Sequence, residues 1–423
     1  MAEPPSQPYL HQPYLKRHLE ASLAEALRDT PVVCILGPRQ CGKSTLARHI
    51  APERMYVSLD DPANHELANT DPMGFIGELP EFVTIDEVQR VPELTLAIKL
   101  SVDANRKPGR FLLTGSANLL QLPRLADSLA GRMEWIELQP FSEAEKEGAA
   151  GGFLEQWLAG ELETGIKATR PPQASSLPRR VIAGGYPEAF QRNPVRARQW
   201  QEQYVRSIID RDIHDVSQVK DGKNVARFLE YICHQTAQLL NVTEVAKALG
   251  HTRPTVEKYL AILERLYLVR QLSPWHRNVR RRLIKAPKIH VCDSGLAAAQ
   301  AGITEATWKT DRAVFGHLLE SFVVQQLTIQ AGRMESKTRL WHYRDKDKVD
   351  VDCVITQGRQ TWGVEVKAAA TAQMADTQGL RKLAEQAGSD FKGGIVFYDG
   401  ESILPFDRDL NLYAVPIARL WEL

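Results

Sequence analysis

The run Gly-Pro-Arg-Gln-Cys-Gly-Lys-Ser has residue types and spacing suited to phosphate binding, because it matches the pattern GxxxxGK[ST]. Small residues in that pattern let backbone N–H groups surround phosphate oxygens. Lys43 would reach the β- and γ-phosphates of a nucleotide, and the hydroxyl of Ser44 would bind Mg²⁺. The apolar segment PVVCIL before the run and STLARHI after it predict the strand and helix that the motif requires. The predicted ATP-binding residues of this loop are Gly37, Pro38, Arg39, Gln40, Cys41, Gly42, Lys43, Ser44 and Thr45.

An acidic pair ends the apolar segment FVTI, and this arrangement suits metal binding and the activation of water. Asp86 would bind Mg²⁺, mainly through water, and Glu87 would polarise the water that attacks the γ-phosphate. An acidic pair at the end of a strand can also be a solvated turn. Its occurrence beside a phosphate-binding loop favours the catalytic interpretation.

A third apolar segment, RFLLTGS, ends in hydroxyl residues, and in an ATPase sheet such a strand lies between the two just described. Ser116 and Asn118 are therefore predicted to touch the γ-phosphate and the attacking water, with Thr114 behind them. Arg132 precedes the next predicted strand, MEWIEL, and is a candidate arginine finger that reaches the ATP site of a neighbouring subunit. Arg124 is a weaker candidate. The alternative for Ser116 and Asn118 is an ordinary strand-to-loop cap, and the alternative for Arg132 is a surface arginine.

Three carboxylates and a lysine in the last third of the chain have the types found in Mg²⁺-dependent nucleases. Glu365 and Lys367 alternate with valines in GVEVK, so a strand places them on one face. Asp352 lies in the alternating segment VDVDCV, and Glu320 lies in the amphipathic segment FGHLLESFVV. Asp352 and Glu365 would hold Mg²⁺ or Mn²⁺, Lys367 would orient water, and Glu320 would complete the outer shell. The alternative is a domain that docks without cleaving.

Residues 242–270 have the pattern of a helix, a tight turn and a second helix. Thr243 is predicted to cap the first helix, and Gly250 ends it in the left-handed conformation that glycine favours. Thr252, with Pro254 two residues later, is predicted to begin the second helix. This helix-turn-helix pattern is typical of DNA-binding segments and also of structural spacers.

A basic strip, RNVRRRLIKAPK, follows at residues 277–288, contains no acidic residue and ends at Lys288. Such a strip suits a wing that lies on nucleic-acid phosphates. The residues predicted to contact DNA in the second helix and the strip are Arg253, Lys258, Arg277, Arg280, Arg281, Arg282 and Lys285.

The whole chain has 423 residues, which suggests about three domains. A hydrophobic fraction of 43% and a charged fraction of 25% exclude wholesale disorder, and a net charge of +1 excludes a uniformly basic nucleic-acid coat. The five scattered cysteines form no CxxC pair and argue against a disulfide framework or a zinc site. The absence of a long apolar run and of a signal-peptide core predicts a cytoplasmic protein.

The segments GPRQCGKSTLAR, TIDEVQ, LLTGSAN and SLAGR resemble the AAA+ module of a group of prokaryotic ATP-binding proteins. Their C-terminal half carries a restriction-endonuclease-like domain of formerly unknown function. AGGYPEA, VCDSGLA, HLLESFVV and GVEVKA extend the resemblance over nearly the whole chain. The resemblance implies a helical lid in which Gly185 and Pro187 contact the nucleotide base. Cys41 stands where valine is common in the group, and Ser44 where threonine is common.

The resemblance and the alternation of strands and helices predict an α/β fold with four parts. These parts are a P-loop AAA+ core at 1–145, a helical lid at 146–220, a winged-helix-like domain with the basic strip at 221–300 and an α/β PD-(D/E)xK nuclease-like domain at 301–423. From them we expect an ATPase that uses ATP and Mg²⁺ to remodel or translocate on DNA. We also expect it to assemble as a ring, with six subunits (a hexamer) as the expected number. The alternatives are an ATP-gated regulatory switch acting on a protein partner and an ATP-gated Mg²⁺-dependent nuclease.

Overall fold

The computed structural model of the chain describes residues 14–116, 129–162, 176–216, 222–277 and 286–422. Within these ranges no helix combines the length and the apolar character that crossing a membrane requires. The predicted site residues that lie outside the described residues are Asn118, Arg124, Arg280, Arg281, Arg282 and Lys285.

A five-stranded parallel sheet in the order β2-β3-β4-β1-β5 forms the N-terminal part. The strand that ends in hydroxyl residues, β4 (Phe111–Gly115), lies between β1 (Val32–Leu36) and β3 (Val83–Asp86), as predicted. All residues of these three strands are buried, because helices cover both faces of the sheet. The other elements of this part are β2 (Met55–Ser58), β5 (Met133–Glu137), α1 (Glu20–Asp29), α2 (Lys43–Ile50), α3 (Pro62–Thr70), α4 (Pro72–Glu78) and α5 (Leu94–Ala104).

Helices follow the sheet, over the region that includes the predicted helical lid at 146–220. The first of them begins with a capping box, in which the Ser142 hydroxyl accepts from the Glu145 backbone N–H and the Glu145 carboxylate accepts from that of Ser142. The helices of this part are α6 (Glu143–Glu147), α7 (Phe153–Ala159), α8 (Leu177–Ala183), α9 (Pro187–Phe190) and α10 (Pro194–Val216).

The predicted helix-turn-helix is formed by α12 (Val242–Leu249) and α13 (Arg253–Arg265). Gly250 ends α12 with φ +69°, and Thr252 caps α13. The prediction that Thr243 caps α12 is wrong, because the Asn241 side chain accepts from the backbone N–H groups of Thr243 and Glu244. A three-stranded antiparallel sheet in the order β6-β8-β7 completes this part. Its remaining elements are α11 (Gly222–His234), β6 (Gln238–Leu239), β7 (Val269–Leu272), β8 (Lys288–Val291) and α14 (Ser294–Ala301).

The C-terminal part is a mixed six-stranded sheet in the order β13-β14-β12-β11-β10-β9. β11 pairs with β12 and β12 with β14 in parallel, whereas the other pairs are antiparallel. Its elements are α15 (Thr307–Thr310), α16 (Arg312–Ala331), β9 (Thr338–Arg344), β10 (Asp350–Gln357), β11 (Gln360–Val366), α17 (Gln378–Ala387), β12 (Phe391–Tyr398), β13 (Leu404–Asp407), β14 (Leu412–Pro416) and α18 (Arg419–Glu422).

One hydrophobic cluster joins the helical part, the helix-turn-helix part and the C-terminal part. It runs from Ala144 to Trp421 and includes Phe153 and Phe397, whose ring centroids lie 5.5 Å apart. The N-terminal sheet has separate clusters on its two faces. The three parts after the N-terminal sheet therefore pack around a shared core.

Candidate functional site

The phosphate-binding loop connects β1 to α2 through two glycines with positive φ. Gly37 has φ +149°, and a Cβ atom there would lie 2.1 Å from the backbone oxygen of Leu138. Gly42 has φ +102° and immediately precedes α2. Both positions therefore require glycine, and the loop ends at a helix N-terminus, where the helix dipole favours bound anions.

Lys43 is buried, and its ammonium is bound by neutral groups of the same loop. Its Nζ donates to the backbone oxygens of Gly37 at 3.1 Å and Pro38 at 2.8 Å. Carbonyl oxygens solvate the charge without neutralising it, so phosphate oxygens can take their place with a gain in Coulomb energy. The loop thus holds a lysine that is ready for an anionic ligand.

Asp86 at the end of β3 meets hydroxyl groups from two neighbouring elements. Its Oδ1 accepts from the Ser44 hydroxyl at 2.9 Å and from the Thr114 hydroxyl. Burial raises the pKa of the nearby Tyr56 phenol, and a hydrogen bond to Asp86 adds to the rise. The oxygens of Ser44 and Asp86 fit Mg²⁺, which prefers oxygen ligands and binds proteins through one or two of them together with substrate phosphates.

Glu87 follows Asp86 in a left-handed backbone conformation, with φ 58° and ψ 43°. Its backbone N–H donates to the Thr114 hydroxyl at 3.2 Å, and its Oε2 accepts from the Ser116 hydroxyl at 3.0 Å. The amide of Gln89 donates to the same Oε2 and, at 2.8 Å, to the Ser116 oxygen. The structure therefore brings Glu87 and Ser116 together, and it adds Gln89, which ends the segment TIDEVQ but was given no role by the sequence.

Two further side chains, which the sequence analysis did not single out, donate hydrogen bonds to backbone oxygens of the phosphate-binding loop. Arg17 donates to the backbone oxygen of Cys41 at 2.9 Å and forms an ion pair with Glu145 at 3.1 Å. The Tyr204 hydroxyl donates to the backbone oxygen of Arg39 at 3.0 Å. Residues distant in the chain supply both contacts, so no local sequence pattern reveals them.

Cys41 lies in the loop but faces the protein interior. Its thiol is fully buried and donates to the backbone oxygen of Leu138 at 3.3 Å. Burial raises the pKa of this thiol, against Lys43 and Arg17, so it stays protonated. The side chain therefore fills space where a valine is common, and the departure leaves the loop intact.

Arg132 and Gly185 form their hydrogen bonds with residues other than the phosphate-binding loop and the acidic pair. Arg132 forms an exposed ion pair with Asp103, with Nε 2.6 Å from Oδ1. The backbone N–H of Gly185 donates to Asp293 at 2.7 Å, and its oxygen accepts from Phe141 at 2.7 Å. The roles of Arg132 as a finger, and of Gly185 and Pro187 as contacts of the base, stay predictions.

The second helix of the helix-turn-helix exposes two of the predicted DNA-binding side chains. Arg253 and Lys258 are exposed on α13, and Arg253 forms an ion pair with Glu257 at 2.8 Å. Arg277 is exposed after β7, in the connection that leads to β8. These cations lie on neighbouring elements of one part of the fold, and their contact with DNA stays a prediction.

Lys288, the last residue of the basic strip, is bound inside the carboxylate cluster. Its Nζ lies 2.5 Å from Glu320 Oε1 and 3.1 Å from Asp352 Oδ1. The expectation that it lies on phosphates with the rest of the strip is wrong, because its side chain is only 7% exposed and pairs with these two carboxylates. The hydrophobic residues that alternate with it in β8 draw the whole strand into the core.

Glu365 and Lys367 belong to the same cluster and form an ion pair with each other. Lys367 Nζ lies 3.3 Å from Glu365 Oε2, and Asp352 Oδ2 accepts from the Val366 backbone N–H at 2.9 Å. Among the residues that the structure describes, no group of three or more His, Cys, Asp or Glu side chains is arranged to hold a metal ion. The metal site at Asp352 and Glu365 stays a prediction.

The charges of the cluster respond to burial and to one another. Burial raises the pKa of Glu320 well above its usual value, and the Asp352 carboxylate adds to the rise. Burial also raises the pKa of Glu365, with Asp352 again adding to it. Burial opposes ionisation of Asp352, but Lys288 and Lys367 outweigh it and hold the pKa below its usual value. Lys288, followed by Lys367, thus favours the ionised form of Asp352.

Comparison with known protein families finds a match for the N-terminal part. Residues 29–146 match a family described as an AAA domain. This part of the chain is therefore similar to AAA domains. Residues 174–307 and 315–420 match two families described as domains of unknown function, DUF8612 and DUF4143. The former match runs across the expected boundary at residue 220, in agreement with the hydrophobic cluster that the helical and helix-turn-helix parts share.

Two curated relatives and two solved structures are similar to the chain. The uncharacterized proteins Rv2008c of Mycobacterium tuberculosis and Mb2031c of Mycobacterium bovis are each 29% identical to it over 363 residues, which cover 85% of this chain and 75% of theirs. The Walker-type ATPase PABY2304 of Pyrococcus abyssi is 14% identical with a TM-score of 0.39, covering 68% of this chain and 96% of its own. The RuvB Holliday junction branch migration motor of Thermotoga maritima is 17% identical with a TM-score of 0.29, covering 64% and 90%.

Proposed function

We propose that the AAA domain hydrolyses ATP to ADP and phosphate. The observation that carries the proposal is the convergence of Lys43, Ser44, Asp86, Glu87 and Ser116 at the carboxyl ends of three adjacent parallel strands. A glycine loop, a buried lysine, oxygen ligands for a cation and a carboxylate for water are the parts that phosphoryl transfer to water needs. The loop and helix after β1 supply the glycines, Lys43 and Ser44, the end of β3 supplies Asp86 and Glu87, and the end of β4 supplies Ser116, so the sheet sets their separation.

In this proposal the residues of the site divide the work of hydrolysis. Lys43 binds the β- and γ-phosphates in place of its loop carbonyls. Ser44 and Asp86 would hold Mg²⁺, which would supply positive charge against the charge that develops on the phosphate oxygens. Glu87 accepts the hydrogen bond of the attacking water and orients it, while Ser116 holds the carboxylate.

Exchange of Glu87 for glutamine tests the assignment directly. Glu87→Gln keeps the size of the side chain and removes its charge, so we expect ATP to bind with unchanged affinity and kcat to fall about 10²–10⁴-fold. The matched control is Glu137→Gln, because Glu137 ends the edge strand β5 and also accepts from a glutamine two residues later. Steady-state phosphate release and titration of a fluorescent ATP analogue measure the two quantities. Wild-type kcat in Glu87→Gln would show that the catalytic assignment is wrong.

We also propose that the protein acts as a ring, with Arg132 reaching the ATP site of the next subunit. Its ion pair with Asp103 is at the surface, where a phosphate can replace the aspartate at small cost. Arg132→Ala should lower kcat about 10³-fold and leave ATP affinity largely unchanged. Arg106→Ala, an exposed arginine beside the same turn, is the control. A fully active monomer by light scattering in MgATP would contradict the ring.

We further propose that the ATPase acts on DNA, which it binds through the helix-turn-helix and the basic strip. Support comes from the exposed cations Arg253 and Lys258 on the second helix and Arg277 on the connection between β7 and β8. Phosphate contacts of this kind bind duplexes of every sequence and weaken with salt. ATP hydrolysis would then drive remodelling or translocation on DNA.

Salt dependence measures how many DNA phosphates these cations neutralise. The double variant Arg253→Ala/Lys258→Ala should bind duplex DNA more weakly at low salt, and the slope of log K against log salt should fall by about 0.9 for each phosphate that the variant no longer neutralises. A triple alanine variant at Arg280, Arg281 and Arg282 tests the strip in the same way. Arg359→Ala, which removes an exposed ion-paired arginine of the C-terminal sheet, is the control. Unchanged slopes, together with an ATPase rate that DNA does not alter, would favour the switch that acts on a protein partner.

The proposal gives the C-terminal part a binding role without cleavage, because Lys288 already supplies the positive charge between Glu320 and Asp352. A nicking assay with Mn²⁺ compares the wild type with Asp352→Ala and Lys367→Ala. We expect equal traces of nicking in all three proteins. Nicking that both substitutions remove would instead establish the ATP-gated nuclease.

A further inference from the structure

We infer that Gln89 is a positioning residue, which holds the Glu87 carboxylate in the orientation that hydrolysis requires; this inference rests on the proposed ATPase function. Gln89 lies in the single helical turn Val88–Arg90 that follows β3. Its side-chain amide reaches back over that turn to the carboxylate two residues earlier.

Three side chains form a closed hydrogen-bonded ring. Gln89 Nε2 donates to Glu87 Oε2 and to Ser116 Oγ at 2.8 Å, and the Ser116 hydroxyl donates to the same carboxylate oxygen at 3.0 Å. An ionised carboxylate accepts only, so the amide must present its nitrogen on this side. The ring joins the ends of β3 and β4, which are paired in the sheet.

The backbone at Glu87 explains why a second donor matters. A non-glycine residue with φ 58° is in a sparsely populated conformation, and such residues occur at functional sites where the surroundings hold them in place. The Arg90 backbone N–H donates to the backbone oxygen of Glu87 at 3.0 Å, so the turn that carries Gln89 also holds this conformation. The same short turn therefore sets both the main chain and the carboxylate of Glu87.

A freely rotating glutamate would spend much of its time away from the attacking water. Fixing a reacting group in one orientation lowers the barrier by removing the entropy of finding it. Lys43, Ser44 and Asp86 make no contact with Gln89 among the hydrogen bonds of the described residues. Loss of Gln89 should consequently affect turnover and leave nucleotide binding unchanged.

The chain offers a matched control at the end of β5. Gln139 donates to Glu137 with the same spacing of two residues, and the Oε1 atoms of both glutamines are buried without a partner among the described residues. The pair of Glu137 and Gln139 thus repeats the local chemistry at the edge of the sheet, beyond β1. A substitution there reports the structural effect of losing such an amide.

The test compares Gln89→Met, Gln89→Glu and Gln139→Met with the wild type. Methionine keeps the length of the side chain without donors, and glutamate keeps its shape but repels Glu87. We expect both Gln89 variants to lower kcat about 10- to 100-fold, below the full contribution of a general base, with KM and ATP affinity within about twofold. Gln139→Met should keep the wild-type kcat.

Three outcomes separate the possible failures. Wild-type kcat in both Gln89 variants would overturn the inference while the ATPase function stands. A large loss of ATP affinity in Gln89→Met, or an equal loss of kcat in Gln139→Met, would also overturn it, because the effect would then be structural. No phosphate release by the wild type, with or without DNA, would overturn the proposed function itself.

Discussion

Lys43 and Lys288 are buried lysines of 4% and 5% exposure, yet their surroundings differ in kind. Lys43 Nζ binds two neutral carbonyl oxygens of its own loop, whereas Lys288 Nζ lies between the carboxylates of Glu320 and Asp352. A charge solvated by neutral groups remains available to an anion. A charge compensated by carboxylates inside the protein is part of the structure, because removal of one partner leaves the others uncompensated.

This difference teaches that an Asp, a Glu and a Lys in proximity do not define an active site by themselves. The N-terminal site has its lysine where the phosphate-binding loop meets α2 and its acidic pair at the end of a strand. In the C-terminal cluster the lysine comes from β8 and the carboxylates from α16 and β10, so three packed elements close around the charges.

The largest expected effect is the loss of stability in Lys288→Met. Methionine leaves Glu320 and Asp352 adjacent without the lysine that lies between them, and removal of one partner of a buried ion pair costs about 3–5 kcal/mol. ATP affinity should be unchanged, since the substitution lies in another part of the fold. Urea unfolding and a fluorescent-ATP titration on the same protein measure both. A stability loss below about 1 kcal/mol would remove the distinction between the two lysines.

Lys43→Met should show the opposite pattern. The variant loses the charge-assisted hydrogen bonds to phosphate, each worth about 1.5–3 kcal/mol, so ATP affinity should fall at least about 10²-fold. Stability without nucleotide should change little, because only hydrogen bonds to neutral carbonyls are removed. The same two measurements apply. A stability loss as large as that of Lys288→Met would mean that Lys43 is structural as well.

The pH dependence of Lys288→Met sharpens the comparison further. Burial raises the pKa of Glu320 above its value in the unfolded chain, so the folded protein binds that proton more tightly. Lys288 opposes this rise, so its loss in Lys288→Met raises the pKa of Glu320 above that in the wild type. Stability from this group is therefore gained as pH falls and is lost as pH rises through the raised pKa. The deficit of Lys288→Met should shrink between pH 8 and pH 5.5, by about 1.4 kcal/mol for each pH unit over which Glu320 takes up its proton. Urea unfolding at the two pH values measures it.

A second variant checks the origin of that pH effect. Lys288→Met/Glu320→Gln removes the lysine and the titrating carboxylate together, so its stability relative to the single variant Glu320→Gln should be the same at both pH values. A deficit that shrinks as before in the double variant would assign the proton to another group.

The smallest effect is expected for Lys367→Met. Lys367 is 35% exposed and pairs with Glu365 at 3.3 Å, so water screens the interaction. We expect a loss of at most about 1 kcal/mol in the same unfolding experiment. A loss equal to that of Lys288→Met would place the structural cation at Lys367 instead.

Local patterns predicted much of the N-terminal site. The strand, loop and helix around Lys43 form one contiguous segment, and the position of β4 between β1 and β3 follows from the order of such sheets. Gln89 was missed although it lies beside the acidic pair, because its role depends on a contact with Ser116 on another strand. Arg17 and Tyr204 were missed because each reaches the loop from a distant part of the chain.

The sequence by itself determined the phosphate-binding loop, the helix-turn-helix and the alternation of strands, because backbone geometry, caps and hydrophobic periodicity act over a few neighbouring residues. Only the tertiary structure decided that Lys288 leaves the basic strip and joins Glu320 and Asp352. The three residues lie on separate elements, which are brought together by the hydrophobic cluster running from Ala144 to Trp421. The free energy of that packing is collective, so no short segment of sequence contains the information that places a charge beside its partner.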